Sequence, residues 1–106
     1  MSPWLPRTAA LLTLLCLSAP AFASSQTENG AALSEHLCAR CHVVTPNPSQ
    51  GWTNAPAFEA IANRPDASAA SLSAYIQKPH ADMLNSRRPP GEATAIAAYI
   101  MSLRKQ

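Results

Sequence analysis

In HLCARCHVV, residues 36–44, two cysteines lie three apart and a histidine directly follows the second. Three chemistries use that spacing: a zinc site, a redox-active dithiol, and covalent attachment of a porphyrin through two thioethers. A structural zinc needs four ligands, and a catalytic zinc needs three plus water. Cys38, Cys41 and His42 offer three, but the side chains of adjacent Cys41 and His42 diverge on a helix. Neither His36 nor His80 has the spacing of a zinc finger. A redox dithiol follows a strand in a βαβ unit, whereas the residues before Cys38 carry a helical pattern. Porphyrin attachment uses every element of the motif. Thiols at i and i+3 meet two vinyl groups along one edge of the ring, and the next residue turns beneath it to present Nε2 to the iron. The motif therefore predicts haem c held by Cys38 and Cys41, with His42 as proximal ligand.

The segment that must position these residues begins well inside the 106-residue chain. Arg7 is the only charged side chain before Glu28, and it precedes the apolar run TAALLTLLCLSAPAFA, closed by Ala21-Phe22-Ala23. A positive start, a short apolar stretch and an A-x-A end predict a secretory signal over residues 1–23. The run contains Pro20 and falls short of the roughly 20 apolar residues that span a bilayer. Cleavage after Ala23 leaves 106 − 23 = 83 residues, 24–106, a single domain in the periplasm. Without Arg7 the balance is seven basic against six acidic residues, 7 − 6 = +1, which is no footprint for nucleic acid. Cys16 leaves with the signal. A disulfide between Cys38 and Cys41 would close too short a loop to constrain the unfolded chain.

Along the mature part, polar SSQTENG comes first. Gly30, Leu33 and Leu37 then share a helical face that ends at or just inside the CxxCH. Pro46, Pro48, Gly51 and Pro56 break the next stretch. AFEAIAN reads as a short helix carrying Phe58 and Ile61, stopped by Asn63 to Pro65. DASAASLSAYIQ reads as a longer one, with Asp66 or Ser68 as N-cap and Leu72, Tyr75 and Ile76 on one face. Pro79 halts it near Gln77. KPHADMLNSRRPPG is a loop. A last helix from about Glu92 carries Ile96, Tyr99, Ile100 and Leu103 on one stripe, with Arg104 and Lys105 suited to its C-terminal dipole. No segment alternates at period two, so the fold class is all-α with long loops. On these grounds the iron's second face has Met83, Met101, His36 and His80 as candidates, and an unbranched methionine in a loop is also an ordinary gap filler.

With these segments in order, the mature chain resembles a small class I bacterial cytochrome c throughout. CARCH is similar to the attachment site of that family, and APAF to the proline segment, LSAYIQKP to the helix before the distal loop, PHADM to the segment carrying the axial methionine, and AIAAYIMSL to the C-terminal helix. The resemblance implies a class I cytochrome c fold, three to five helices with long loops around one covalently attached haem. It implies that the Pro56 carbonyl receives the Nδ1–H of His42, that Met83 is the distal ligand, and that Tyr75 leans toward its sulfur or packs in the core. It also implies that an aromatic of the last helix crosses the first helix at Gly30. Ser34 stands where many relatives have an aromatic, so Leu33 or Leu37 must fill that space. Leu84 stands after Met83 where proline is commoner, which loosens the loop and makes His80 the replacement ligand to consider. Arg64, and Trp52 through its indole N–H, are candidates for a haem propionate; a solvated arginine and a loop tryptophan are their ordinary roles.

His/Met ligation favours reduced iron and leaves no open position for substrate. The expectation is a monomeric electron carrier, not an enzyme, with no stable membrane insertion. Arg40, Lys78, Arg87 and Arg88 flank the attachment and distal loops, a rim suited to steering an acidic redox partner, or a scatter of solvated charge. Two other readings share the motif: a haem-based gas or peroxide sensor or scavenger that releases Met83, and a permanent haem subunit of a larger dehydrogenase or oxidase.

Overall fold

The computed structural model describes residues 3–4, 19–46, 55–80 and 87–105. Most of the expected signal segment, the breakers Pro48 and Gly51, and Trp52, Met83 and Leu84 lie outside them. Every regular element among the described residues is a helix: α1 (Ala19–Leu37), α2 (Phe58–Ala62), α3 (Ala69–Ile76) and α4 (Pro90–Ser102).

Helix α1 starts earlier than its sequence pattern implies and runs without a break through SSQTENG. Pro20 falls in its first turn, where a backbone N–H has no partner to lose. From there to Gly30 nothing breaks the helix, and Thr27 folds its hydroxyl back onto the Ala23 carbonyl at 3.0 Å. Helix α2 is a single short run, entered from extended Ala57 and closed by Asn63, whose Nδ2 donates to the Glu59 carbonyl at 2.7 Å. Helix α3 takes Ser68 rather than Asp66 as its N-cap. Ser68 and Ser71 exchange side-chain and backbone hydrogen bonds in a capping box, both at 3.1 Å. It stops at Ile76, two residues before Lys78-Pro79. Helix α4 opens on Pro90, two residues before Glu92, because proline is preset for a first helical turn.

Helix α4 is the centre of the bundle and packs against the other three. Ala93, Ala95, Ile96, Ala97, Tyr99 and Ile100 are all buried along it. The core is small: Val44, Phe58, Ala62, Ile96, Tyr99 and Ile100, with Leu33, Ile61, Leu72, Ile76 and Leu103 packed around it. Of the two leucines expected to fill the crossing, Leu33 packs against this core. Ser34 itself is fully buried, its hydroxyl satisfied by the Gly30 carbonyl at 2.7 Å.

The crossing of α1 over α4 is set by Gly30. A Cβ there would overlap the Ala95 carbonyl oxygen, lie 2.6 Å from the Ala95 carbonyl carbon and 2.9 Å from Cβ of Tyr99. Only a residue without a side chain allows backbones this close.

Two expectations about faces are corrected. Tyr75 does not share the packed face of Leu72 and Ile76; it is 56% exposed, because the i, i+4 pair alone spans the contact with α4. Arg104 and Lys105 lie past the end of α4 and reach sideways instead of capping it. Lys105 Nζ meets Glu59 at 2.6 Å and its N–H donates to the Asn63 side chain at 3.0 Å, while Arg104 donates to the Ala67 carbonyl at 3.4 Å. These three contacts tie residues 104 and 105 to α2 and the turn after it.

Candidate functional site

The attachment motif is the turn that ends α1. The Ser34 carbonyl accepts the N–H of Cys38 at 2.9 Å and of Ala39 at 3.1 Å, and the Cys38 carbonyl accepts those of Cys41 at 3.1 Å and His42 at 2.9 Å. The chain is thus still coiled through both cysteines and leaves the coil at His42. Both thiols are free, Cys38 half-buried and Cys41 exposed. Burial pushes the Cys38 thiol above its ordinary value, and the nearby Arg88 guanidinium opposes this. Among the described residues no three His, Cys, Asp or Glu side chains gather on one point, so the zinc reading finds no ligand set there.

His42 is buried, with 8% of its surface exposed. Its Nδ1 lies 2.7 Å from the carbonyl oxygen of Pro56. A carbonyl can only accept, so Nδ1 carries a proton in this bond, and in a neutral imidazole that places the lone pair on Nε2. Such a partner fixes both tautomer and orientation and raises the basicity of the remaining nitrogen. Phe58 packs on the imidazole, ring centres 5.3 Å apart at 48°. Pro56 sits in the extended approach to α2 and Phe58 is the first residue of α2, so one short element supplies both contacts.

The two residues after His42 are held just as firmly. The Val43 carbonyl accepts the Phe58 N–H at 2.9 Å. The carbonyl of fully buried Val44 accepts the Tyr99 hydroxyl at 2.6 Å, from 55 positions further along the chain. Tyr99 also packs against Phe58, with centres 6.5 Å apart at 58°. Residue type carries no trace of the Val43 and Val44 contacts, since every residue has the same carbonyl. The stripe on α4 marks Tyr99 as buried without saying where its hydroxyl goes.

The remaining candidates are dispersed. Tyr75 stacks on His80, centres 4.7 Å apart, and His80 Nδ1 lies 3.3 Å from the Lys78 carbonyl. Arg64 is exposed just after α2, as are Arg40, Lys78 and Arg87 at their positions. Arg88 is half-buried, 3.7 Å from Glu92 one turn into α4. Trp52 and Met83 lie outside the described residues.

Two free thiols on one turn, followed by a buried imidazole with one nitrogen engaged and the other a lone pair, form a donor set that fits haem c. A helical bundle built over that site is the arrangement of a c-type cytochrome. The chain is 34% identical over 94 residues to a cytochrome c-552 of Bradyrhizobium diazoefficiens, a match that covers 89% of this chain and 90% of the relative. It belongs to the class I c-type cytochromes, electron-transfer proteins whose haem c is covalently bound. No family model matches the chain, and no solved structure does. Among the described residues no helix is long and apolar enough to cross a membrane.

Proposed function

We propose that residues 24–106, after removal of a signal over residues 1–23, form a periplasmic one-electron carrier whose iron is held between His42 and Met83. The observation that carries this reading is the hydrogen bond from His42 Nδ1–H to the Pro56 carbonyl at 2.7 Å. It leaves Nε2 as a fixed, basic donor directly after the two thiols.

Haem c, when bound, supplies an iron that takes up and releases a single electron. Cys38 and Cys41 anchor it as thioethers. Pro56 and Phe58 keep the His42 ring from rotating, so both oxidation states meet the same ligand geometry. Buried Val44, Phe58 and Tyr99 keep water from the His42 side. A Met83 thioether on the second face would favour the reduced state and close the iron to substrates, which suits a carrier rather than an enzyme. Tyr75 is assigned to lean toward the Met83 sulfur, and exposed Arg64 together with Trp52 to the propionates. Arg40, Lys78 and Arg87 are exposed, and with Arg88 they form the basic rim for redox partners of a monomer. A bimolecular electron-transfer rate that does not fall with ionic strength would remove the rim from this reading.

The test uses the holoprotein matured in a haem c-assembling host, beside a Met83→Ala variant. Low-spin optical spectra in the wild type, with carbon monoxide taken up only by the reduced variant, are the expected result. Ready uptake by the wild type would mean an open iron, and the sensor function would replace the carrier.

A further inference from the structure

We propose that the Tyr99 hydroxyl is a positioning group for His42, acting from helix α4 through the backbone of residues 42–44. The inference rests on His42 being the proximal ligand.

Residues 43 and 44 belong to no helix and no strand, so no regular ladder holds them. Bonds from two different helices reach them: the Phe58 N–H on Val43, and the Tyr99 hydroxyl on Val44 at 2.6 Å. The second joins a fully buried carbonyl to a side chain only 9% exposed, an environment in which a hydrogen bond is electrostatically stronger than in water. Tyr99 reaches His42 by a second route as well, through Phe58, which packs on both rings.

These contacts close a circuit. Helix α1 runs straight into Cys38, and its Gly30 sits against Ala95 and the Cβ of Tyr99 on α4. The hydroxyl of the same Tyr99 holds the chain two residues beyond His42. One side chain therefore fixes the attachment helix at Gly30 and the end of the ligand segment relative to each other. The crossing uses the Cβ and the Phe58 contact uses the ring, both of which phenylalanine would supply equally. The hydroxyl's role is therefore separable from the fold.

The experiment uses 15N-labelled holoprotein in three forms: wild type, Tyr99→Phe, and Leu33→Ala. Leu33 packs against the same core, so its truncation lowers global stability while the Tyr99–Val44 bond stays intact. Exchange of the His42 Nδ1–H and of the Phe58 amide is followed by NMR and compared with the slowest amides of α4. Tyr99→Phe is expected to speed both about fivefold relative to that internal reference, the weight of one ordinary net hydrogen bond. Leu33→Ala should move them only in step with the α4 amides. Equal relative exchange in the two variants, or none in Tyr99→Phe, overturns the proposal. The ferric spectrum reads the ligand separately. If the paramagnetically shifted histidine is not His42, the functional reading falls and the inference with it; if it is His42 and exchange is unchanged, only the role of the hydroxyl falls.

Discussion

Replacing Gly30 with alanine adds one carbon where α1 lies against the backbone of α4. That carbon would sit 2.6 Å from the Ala95 carbonyl carbon and 2.9 Å from Cβ of Tyr99, and nearer still to the Ala95 oxygen. Favourable carbon contacts begin at about 3.5 Å, so α1 and α4 must separate by roughly 1 Å or more. The obstacle is backbone inside a helix, which cannot swing aside as a flexible side chain would. Overpacking costs about 1–3 kcal/mol, and a rigid obstacle places Gly30→Ala at the upper end. Alanine's better helix propensity returns about 1 kcal/mol. The net loss of about 2 kcal/mol corresponds to a fall in melting temperature of roughly 8–16 °C for a domain of this size. Gly91, in the first turn of α4, is the internal control, because a Cβ there meets nothing within 4 Å. Gly91→Ala should melt at or slightly above the wild-type temperature. Thermal unfolding of the two holoprotein variants by far-ultraviolet circular dichroism provides the comparison. A Gly30→Ala protein that melts within about 2 °C of the wild type would refute the close crossing.

Three further outcomes are expected. Ser68→Ala removes the N-cap of α3 and should cost about 1 kcal/mol; because α3 buries no residue of its own, the loss should appear as faster amide exchange in α3 before any change elsewhere. Phe58→Ala empties the space between His42 and Tyr99 and should lower stability by about 3–5 kcal/mol, read as the urea midpoint of the holoprotein; a loss under about 1 kcal/mol would mean that Phe58 is not part of the core. Burial first, and the Glu35 charge second, push the Tyr99 phenol above its ordinary value. The unfolded chain then releases that proton at lower pH than the folded one, so Tyr99's contribution is intact below about pH 10 and declines as pH rises from there toward the folded value. Tyr99→Phe should therefore flatten the alkaline decline of the urea midpoint, and an unchanged slope would contradict the shift.

Much of the fold was legible because it depends on local chemistry. The stripe of Ile96, Tyr99, Ile100 and Leu103 marks α4, Pro79 ends α3, and Asn63 ends α2, each acting on residues within a turn or two. The boundaries that drifted did so for equally local reasons. SSQTEN is polar but contains no proline or glycine, so α1 passes through it, and Pro90 is as good a helix start as Glu92. Tyr75 was misplaced because three residues at i, i+3 and i+4 define a face wider than the contact α4 offers.

The chemistry of the attachment turn follows from residue order alone. Cys38, Cys41 and His42 are adjacent along the chain, so their spacing alone dictates how thiols and imidazole are presented. Tertiary structure decided what holds that imidazole still. The carbonyls of Val43, Val44 and Pro56 look like any others in a sequence, and become anchors only when the fold brings the Phe58 N–H of α2 to Val43, the Tyr99 hydroxyl of α4 to Val44, and the His42 ring to Pro56. It also decided why Gly30 must be glycine. A missing side chain has meaning only once a second backbone lies in the space it would have filled.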